Sequence, residues 1–257
     1  MAYRFRHVFV ISYGRSGSTV LNGLLNALPG TCVRGENFGS FVHLFRAIRA
    51  AELSRTRFGR PGSSSPTSPW YGAAGINGAA FGKAVIDSFI RDVLAPPADA
   101  ELIGFKEIRY TRGQFSDDEF EDFLKFVEGA FDRPCFIFSV RRPGEVAKSA
   151  WWAGDPFARS EIASLNKRFR SAAERRPANA YVFEYDYIRK APDSLHDLHG
   201  FLGASFDAQR VKAVLALPHA LIGHAPVIRR VAGLPRRVAR SLGRRLLRYA
   251  FPNRADA

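Results

Sequence analysis

Residues 7–21 read HVFVISYGRSGSTVL, an apolar run of strand length that turns through two glycines straight into a helical pattern. This feature constrains the chain most. A buried strand feeding a tight turn and a helix points several backbone N–H groups at one spot and adds the positive end of the helix dipole. Gly14 and Gly17 let the backbone approach an anion closely, Arg15 adds a cation, and Ser16, Ser18 and Thr19 add hydroxyl donors. The segment therefore reads as a cradle for phosphate or sulfate; the bland alternative is a strand–turn–helix with glycines for geometry alone. It departs from the ATPase loop G-x-x-x-x-G-K-[ST]: the turn is one step shorter and no Lys precedes the Ser/Thr pair. An anion site built on Arg rather than on a metal is expected.

The same alternation recurs along the chain. Strands are expected over His7–Tyr13, Leu102–Lys106, Pro134–Arg141 and Ala180–Tyr185. Helices are expected over Ser18–Leu28, Phe38–Leu53, Asn77–Leu94, Asp117–Phe131, Pro143–Trp152, Ser160–Arg175 and Pro192–Leu202. Strands that alternate with helices imply an α/β fold, a central parallel sheet flanked by helices on both faces. At 257 residues with 46% hydrophobic content, the chain can build a core and suits one large domain. We place that domain at 1–228, with a Gly/Ser/Pro/Arg-rich loop at 54–76 and a tail at 229–257.

Lys and Arg number 38 against 24 Asp and Glu, a formal charge of +14 that calls for an anionic partner. Nine of the arginines, against one acidic residue, lie in 229–257, where Leu234, Val238, Leu242 and Leu246 alternate with Arg236, Arg240, Arg244 and Arg248. That spacing describes an amphipathic basic helix, which either touches acidic lipid or glycan or packs its apolar stripe on the domain. Cys32 and Cys135 make neither a disulfide framework nor a zinc site and read as small buried hydrophobes. His7, His196 and His199 lack metal-ligand spacing, so no metal is expected. The apolar run at 7–13 is too short for a membrane span or a secretory core. A soluble cytoplasmic protein is the expectation, with peripheral membrane contact through the tail left open.

A second anion segment reads FIFSVRRPGEVAKSAWW over 136–152. Arg141 ends a strand, Pro143 takes the first helical position, and Ser149 falls about two turns on, so Arg141 and Ser149 could meet one phosphate. SYGRSGSTVL followed by VRRPGEVAKS resembles the sulfotransferase family that uses 3′-phosphoadenylyl sulfate. In that family the first loop binds the 5′-phosphosulfate, and R-x-P-x-[DE]-V-x-x-S binds the 3′-phosphate; Arg141, Pro143, Glu145, Val146 and Ser149 match. YDYIRKAP at 185–192 resembles the family's Y-E-D-L segment with Asp186 in the Glu position. FLGASFD at 201–207 and GFKEIRY at 104–110 resemble two further pieces, so the likeness covers about 7–207. Near the C-terminus His224 stands where some relatives carry Asn in H-x-x-x-G-N, which begins here at His219, so the C-terminal nucleotide contacts depart from the family pattern.

The resemblance implies a nucleotide sulfate donor and a hydroxyl acceptor, with carbohydrate or glycolipid ahead of small phenols. Arg15 would stabilise the leaving phosphate, with Lys106 and Arg109 as further cations. The His that the cytosolic branch uses as base is missing from Lys106-Glu107-Ile108. The bacterial and carbohydrate branches carry a Glu 21 residues beyond the loop Arg, which here is Glu36. Glu36, held beside Arg15 and Arg34, is the expected base, with Glu107 as runner-up; its bland reading is a helix-start carboxylate. Trp70 and Tyr71 could line an acceptor sugar or only anchor their loop, and Trp151 or Trp152 could stack on adenine or belong to the core. The competing classes are a basic nucleic-acid- or membrane-binding protein without transfer activity and a P-loop kinase. No nucleic-acid module is evident in the sequence, so no nucleic-acid partner is expected.

Overall fold

The computed structural model describes residues 3–188 and 191–217. Five strands run parallel in one sheet: β1 (His7–Ile11), β2 (Thr31–Arg34), β3 (Leu102–Glu107), β4 (Pro134–Val140) and β5 (Ala180–Glu184), in the order β2-β3-β1-β4-β5. The helices are α1 (Ser18–Asn26), α2 (Ser40–Phe58), α3 (Gly78–Ser88), α4 (Asp117–Ala130), α5 (Pro143–Val146), α6 (Ala158–Glu174), α7 (Tyr185–Ile188), α8 (Leu195–Leu202) and α9 (Ala208–Ala216). The expected α/β architecture is present.

Helices on both faces explain why the inner strands read as unbroken apolar runs. Every residue of β1 and β3 is buried, including Lys106 and Glu107. On one face Val8, Val10 and Ile137 pack with Leu21, Leu24 and Leu25 of α1, Leu195 and Leu198 of α8, and Val211 of α9. The other face is aromatic: Phe9, Phe105 and Phe136 meet Phe41 and Phe45 of α2, Phe120 and Phe123 of α4, and Phe169 of α6. Phe9 and Phe105 meet edge to face at 5.4 Å, and Phe9 and Phe131 at 4.9 Å.

Several expected boundaries move. β2 was not expected; it has only four residues and pairs with β3 alone, at the sheet edge. α2 runs on to Phe58, into the expected loop, and Pro61–Ser64 and Ala73–Gly75 each form a short 3₁₀ turn. The expected helix 143–152 stops as α-helix at Val146, and Ala150 takes a left-handed φ of 52°. Ser149 therefore lies beyond the helix, where the chain folds back over the turn after β1. α9 was not expected; Asp207 caps it by accepting from the Arg210 amide at 3.0 Å. No described helix is long and apolar enough to cross a membrane. The tail 229–257 and the segment around His219 and His224 lie outside the described residues.

Two tests follow from this packing. A Cβ on Gly104 would stand 1.8 Å from the Val8 carbonyl oxygen of the neighbouring strand. Neither backbone can retreat from a sheet covered on both faces, so Gly104→Ala should cost about 3 kcal/mol in urea unfolding. The second concerns His7, whose Nδ1 lies 2.8 Å from the Asp132 carbonyl and whose pKa is lowered chiefly by burial. The unfolded chain, with an ordinary imidazole pKa of about 6.5, takes up the proton first as the pH falls. Stability should drop as pH passes below that value, and His7→Gln should flatten this part of the urea-midpoint profile.

Candidate active site

The segment after β1 folds as the sequence implies and is held more tightly than the sequence shows. Ser12 directs both its amide and its hydroxyl to the Glu107 carbonyl at 3.1 Å, which ties the end of β1 to the end of β3. Tyr13 is buried, and its hydroxyl accepts from the Arg141 amide at 2.9 Å and donates to Asn166 Oδ1 at 2.7 Å. Burial raises the Tyr13 pKa well above the usual tyrosine range, so the hydroxyl keeps its proton. This contact locks the start of the first anion segment to the start of the second. Sequence reasoning missed it, because nothing local marks it.

Arg15 at φ 72° and Gly17 at φ 90° turn the chain into α1. Gly17 is the N-cap, and no side chain caps the helix. Among the described residues, the N–H groups of Gly17, Ser18 and Thr19 have no protein acceptor. These donors and the helix dipole leave a helix end whose chemistry suits an anion. Ser16 departs from the expectation: its hydroxyl is buried and meets Ser139 Oγ at 3.2 Å, so it faces the sheet. Ser18 is buried at the first helical position, and Thr19 is exposed. Aromatic rings crowd both glycines, and Gly17 also needs its positive φ. A Cβ on Gly14 would stand 2.1 Å from the Trp151 ring, and one on Gly17 would stand 2.2 Å from the Tyr185 ring.

The second segment meets the first directly. Arg15 Nε donates to Ser149 Oγ at 2.9 Å, and Arg141 donates from its guanidinium to the Arg15 carbonyl at 3.2 Å. Trp152 is buried and donates from Nε1 to the Gly14 carbonyl at 3.0 Å, so it belongs to the scaffold, whereas Trp151 is exposed. The Arg141 guanidinium lies over the Tyr185 ring, 4.9 Å from its centroid. Asp186 accepts from the Arg142 amide at 2.7 Å. Gly14, Arg15, Gly17, Arg141 and Ser149 thus come together at the C-terminal ends of β1 and β4, with Tyr185 and Asp186 arriving from the end of β5. Ligands of open α/β sheets bind at such an edge.

A second cluster stands at the ends of β2 and β3. Glu36 lies in the turn from β2 to α2, with its side chain 35% exposed. Its Oε1 accepts from Lys106 Nζ at 2.5 Å, and its Oε2 lies 3.6 Å from Arg109. The Lys106 side chain is only 7% exposed. Lys106 pairs in register with Val10, on the sheet face that α1 covers. The expected neighbour Arg34 turns away and donates to the carbonyls of Leu94 and Ala95, both at 2.6 Å. Glu107 is fully buried, and its oxygens take backbone N–H groups and Arg109, so Glu36 is the open carboxylate of the two. Trp70 stacks on Phe58 at 3.6 Å, at the far end of α2. The 19 residues of that helix span about 28 Å, so Trp70 stands well away from Glu36.

No family model and no curated protein matches the chain. Among solved structures it is similar to the sulfotransferase domain from the Synechococcus PCC 7002 olefin synthase: 19% identity over 86% of this chain and 82% of that one, TM-score 0.48. It is also similar to the sulfotransferase domain from the curacin biosynthetic pathway: 16% identity over 84% of this chain and 80% of that one, TM-score 0.48.

The loop geometry makes its own prediction. Gly17→Ala forces a Cβ at positive φ into the Tyr185 ring and should cost about 2 kcal/mol of stability. Inorganic phosphate should raise the melting temperature of the wild type and leave that of the variant unmoved.

Proposed function

We propose that the chain transfers a sulfuryl group from 3′-phosphoadenylyl sulfate to a hydroxyl. The observation that carries this reading is the Arg15–Ser149 hydrogen bond, which joins the two anion segments into one site. The sequence resemblance distributes the donor's two ends over the same segments. The N–H groups of Gly17, Ser18 and Thr19, with Arg15, hold the 5′-phosphosulfate, and Arg141 and Ser149 hold the 3′-phosphate. Lys106, on the strand beside β1, and its partner Glu36 serve the transferred group.

In-line transfer needs a proton acceptor and cations for the negative charge that builds on the leaving phosphate. Glu36 takes the proton of the acceptor hydroxyl as its oxygen bonds to sulfur. The bond from sulfur to the bridging phosphate oxygen breaks, and adenosine 3′,5′-bisphosphate leaves against Arg15 and the open end of α1. Lys106 orients Glu36 and reaches the sulfuryl oxygens. The loop after β1 lacks the Lys–Ser/Thr pair of the ATPase loop, which supports sulfuryl over phosphoryl transfer. A carbohydrate or glycolipid hydroxyl is the acceptor class we favour, because the Glu36 position resembles the branches that use such acceptors.

The test has a binding arm and a transfer arm. Wild type should bind adenosine 3′,5′-bisphosphate at micromolar concentration in calorimetry. Arg15→Ala should weaken binding about tenfold or more, as expected for a charged hydrogen-bond donor. Glu36→Gln should keep binding and lose transfer of labelled sulfate to a panel of glycans, glycolipids and small alcohols by about 100-fold or more. No nucleotide binding by wild type sinks the reading, and near-normal turnover in Glu36→Gln sinks only the base.

A further inference from the structure

We propose that Glu107 is a positioning residue: its buried carboxylate holds the turn that carries Glu36 and, through Arg109, sets where the Glu36 carboxylate sits. This rests on the reading of Glu36 as the base.

Glu107 is the last residue of β3 and is fully buried. A buried carboxylate is costly unless its lone pairs are used. Here four donors meet it. Oε2 accepts the amides of Gly39 at 2.7 Å and Asn37 at 3.3 Å. Oε1 accepts the amide of Ile108 at 2.8 Å and the Arg109 guanidinium at 3.0 Å. One oxygen therefore grips the turn after Glu36, and the other grips the chain end that bears Arg109.

The turn needs such a grip. Phe38 and Gly39 are consecutive left-handed residues, at φ 61° and 73°. For phenylalanine that conformation costs about 1–2 kcal/mol. The paired amides make a small anion nest, and the Glu107 carboxylate fills it. Arg109 completes the frame from outside: its guanidinium lies 4.2 Å from the Phe38 ring centroid while its NH1 faces Glu36 Oε2. Strand alternation sends Lys106 and Glu107 to opposite faces of the sheet. Both nevertheless serve one turn, Lys106 through the Glu36 side chain and Glu107 through the backbone behind it. Two carboxylates and two cations close the cluster without net charge.

Glu107→Gln keeps the volume but points an NH2 at donors, so either the turn amides or the Ile108–Arg109 pair loses its acceptor. We expect adenosine 3′,5′-bisphosphate to bind within about twofold of wild type, while release of labelled sulfate from 3′-phosphoadenylyl sulfate to water falls about a hundredfold, the cost of misplacing a catalytic group by an ångström. The Asn37 and Gly39 amide proton resonances should move upfield, and Glu107→Asp, which restores the carboxylate, should recover much of the rate. Arg109→Met tests the outer arm in a half-buried residue and covers the case in which Glu107→Gln fails to fold; it too should lose rate and keep nucleotide affinity. An undiminished rate in either variant overturns the role of Glu107, as does loss of rate and affinity together. Failure of wild type to bind the nucleotide overturns the sulfuryl-transfer reading instead.

Discussion

The buried Tyr13 hydroxyl is the interaction on which the site depends. It sits where β1 and β4 end, between the Arg141 amide and Asn166. The two arginine-bearing segments after β1 and β4, about 120 residues apart in sequence, have to converge within hydrogen-bond reach. Parallel pairing of β1 with β4 brings their ends side by side, but pairing alone leaves the loops beyond the strands free to splay. The Tyr13 hydroxyl removes that freedom one residue before Gly14 and at the residue that bears the Arg141 guanidinium. In a dry environment its two hydrogen bonds polarise each other, and each partner would be left unsatisfied without it. Only then can Arg15 meet Ser149 and Arg141 meet the Arg15 carbonyl.

The second half of the site follows another rule. Lys106 and Glu107 are buried charges at the end of a central strand, where desolvation opposes both. The structure offsets this by pairing: Lys106 with Glu36, and Glu107 with Arg109 and three amides. Such a cluster adds little net stability compared with well-packed apolar residues of the same volume. What it contributes is a defined geometry at the sheet edge, in a turn whose backbone would not choose that shape unaided.

What was legible in the sequence was what local patterns encode. The strand–turn–helix at 7–21 and the alternation along the chain rest on short-range signals, whereas the expected meeting of Arg141 with Ser149 takes another form: Ser149 accepts from Arg15, and Arg141 donates to the Arg15 carbonyl. β2 was missed because four residues at a sheet edge carry no periodicity that can be told from a loop. The helix at 143 was read too long because its apolar spacing continues past Val146, whereas the chain is diverted when Trp152 finds the Gly14 carbonyl. Arg34 was misplaced for a similar reason: proximity in sequence to Glu36 says nothing about carbonyls some 60 residues away. The parts played by Tyr13 and Glu107 depend on contacts across the sheet, which a single sequence does not display.

The excess of positive charge also changes meaning. α4 carries Asp117, Glu119, Glu121, Asp122 and Glu128, and these meet arginines from both neighbouring helices and, at Asp117, Arg112 of the loop before it. Arg46 and Arg49 of α2 pair with Glu119 and Asp122, and Arg168 of α6 pairs with Asp117. Arg176, just after α6, pairs with Glu121 and Glu128. Hydrogen bonds from Arg46 and Arg176 hold the pKa values of Glu119 and Glu121 below the usual carboxylate range. The Arg46 and Arg49 pairs are partly exposed and add little stability, whereas the Arg168 and Arg176 side chains are buried; all of them cancel charge where it arises. Much of the arginine content of the described body is therefore answered within the fold. Arg15 differs, because its side chain meets a neutral hydroxyl at the open end of a helix. A cation whose partner is neutral keeps its field for a ligand, and it stands where the backbone also asks for an anion.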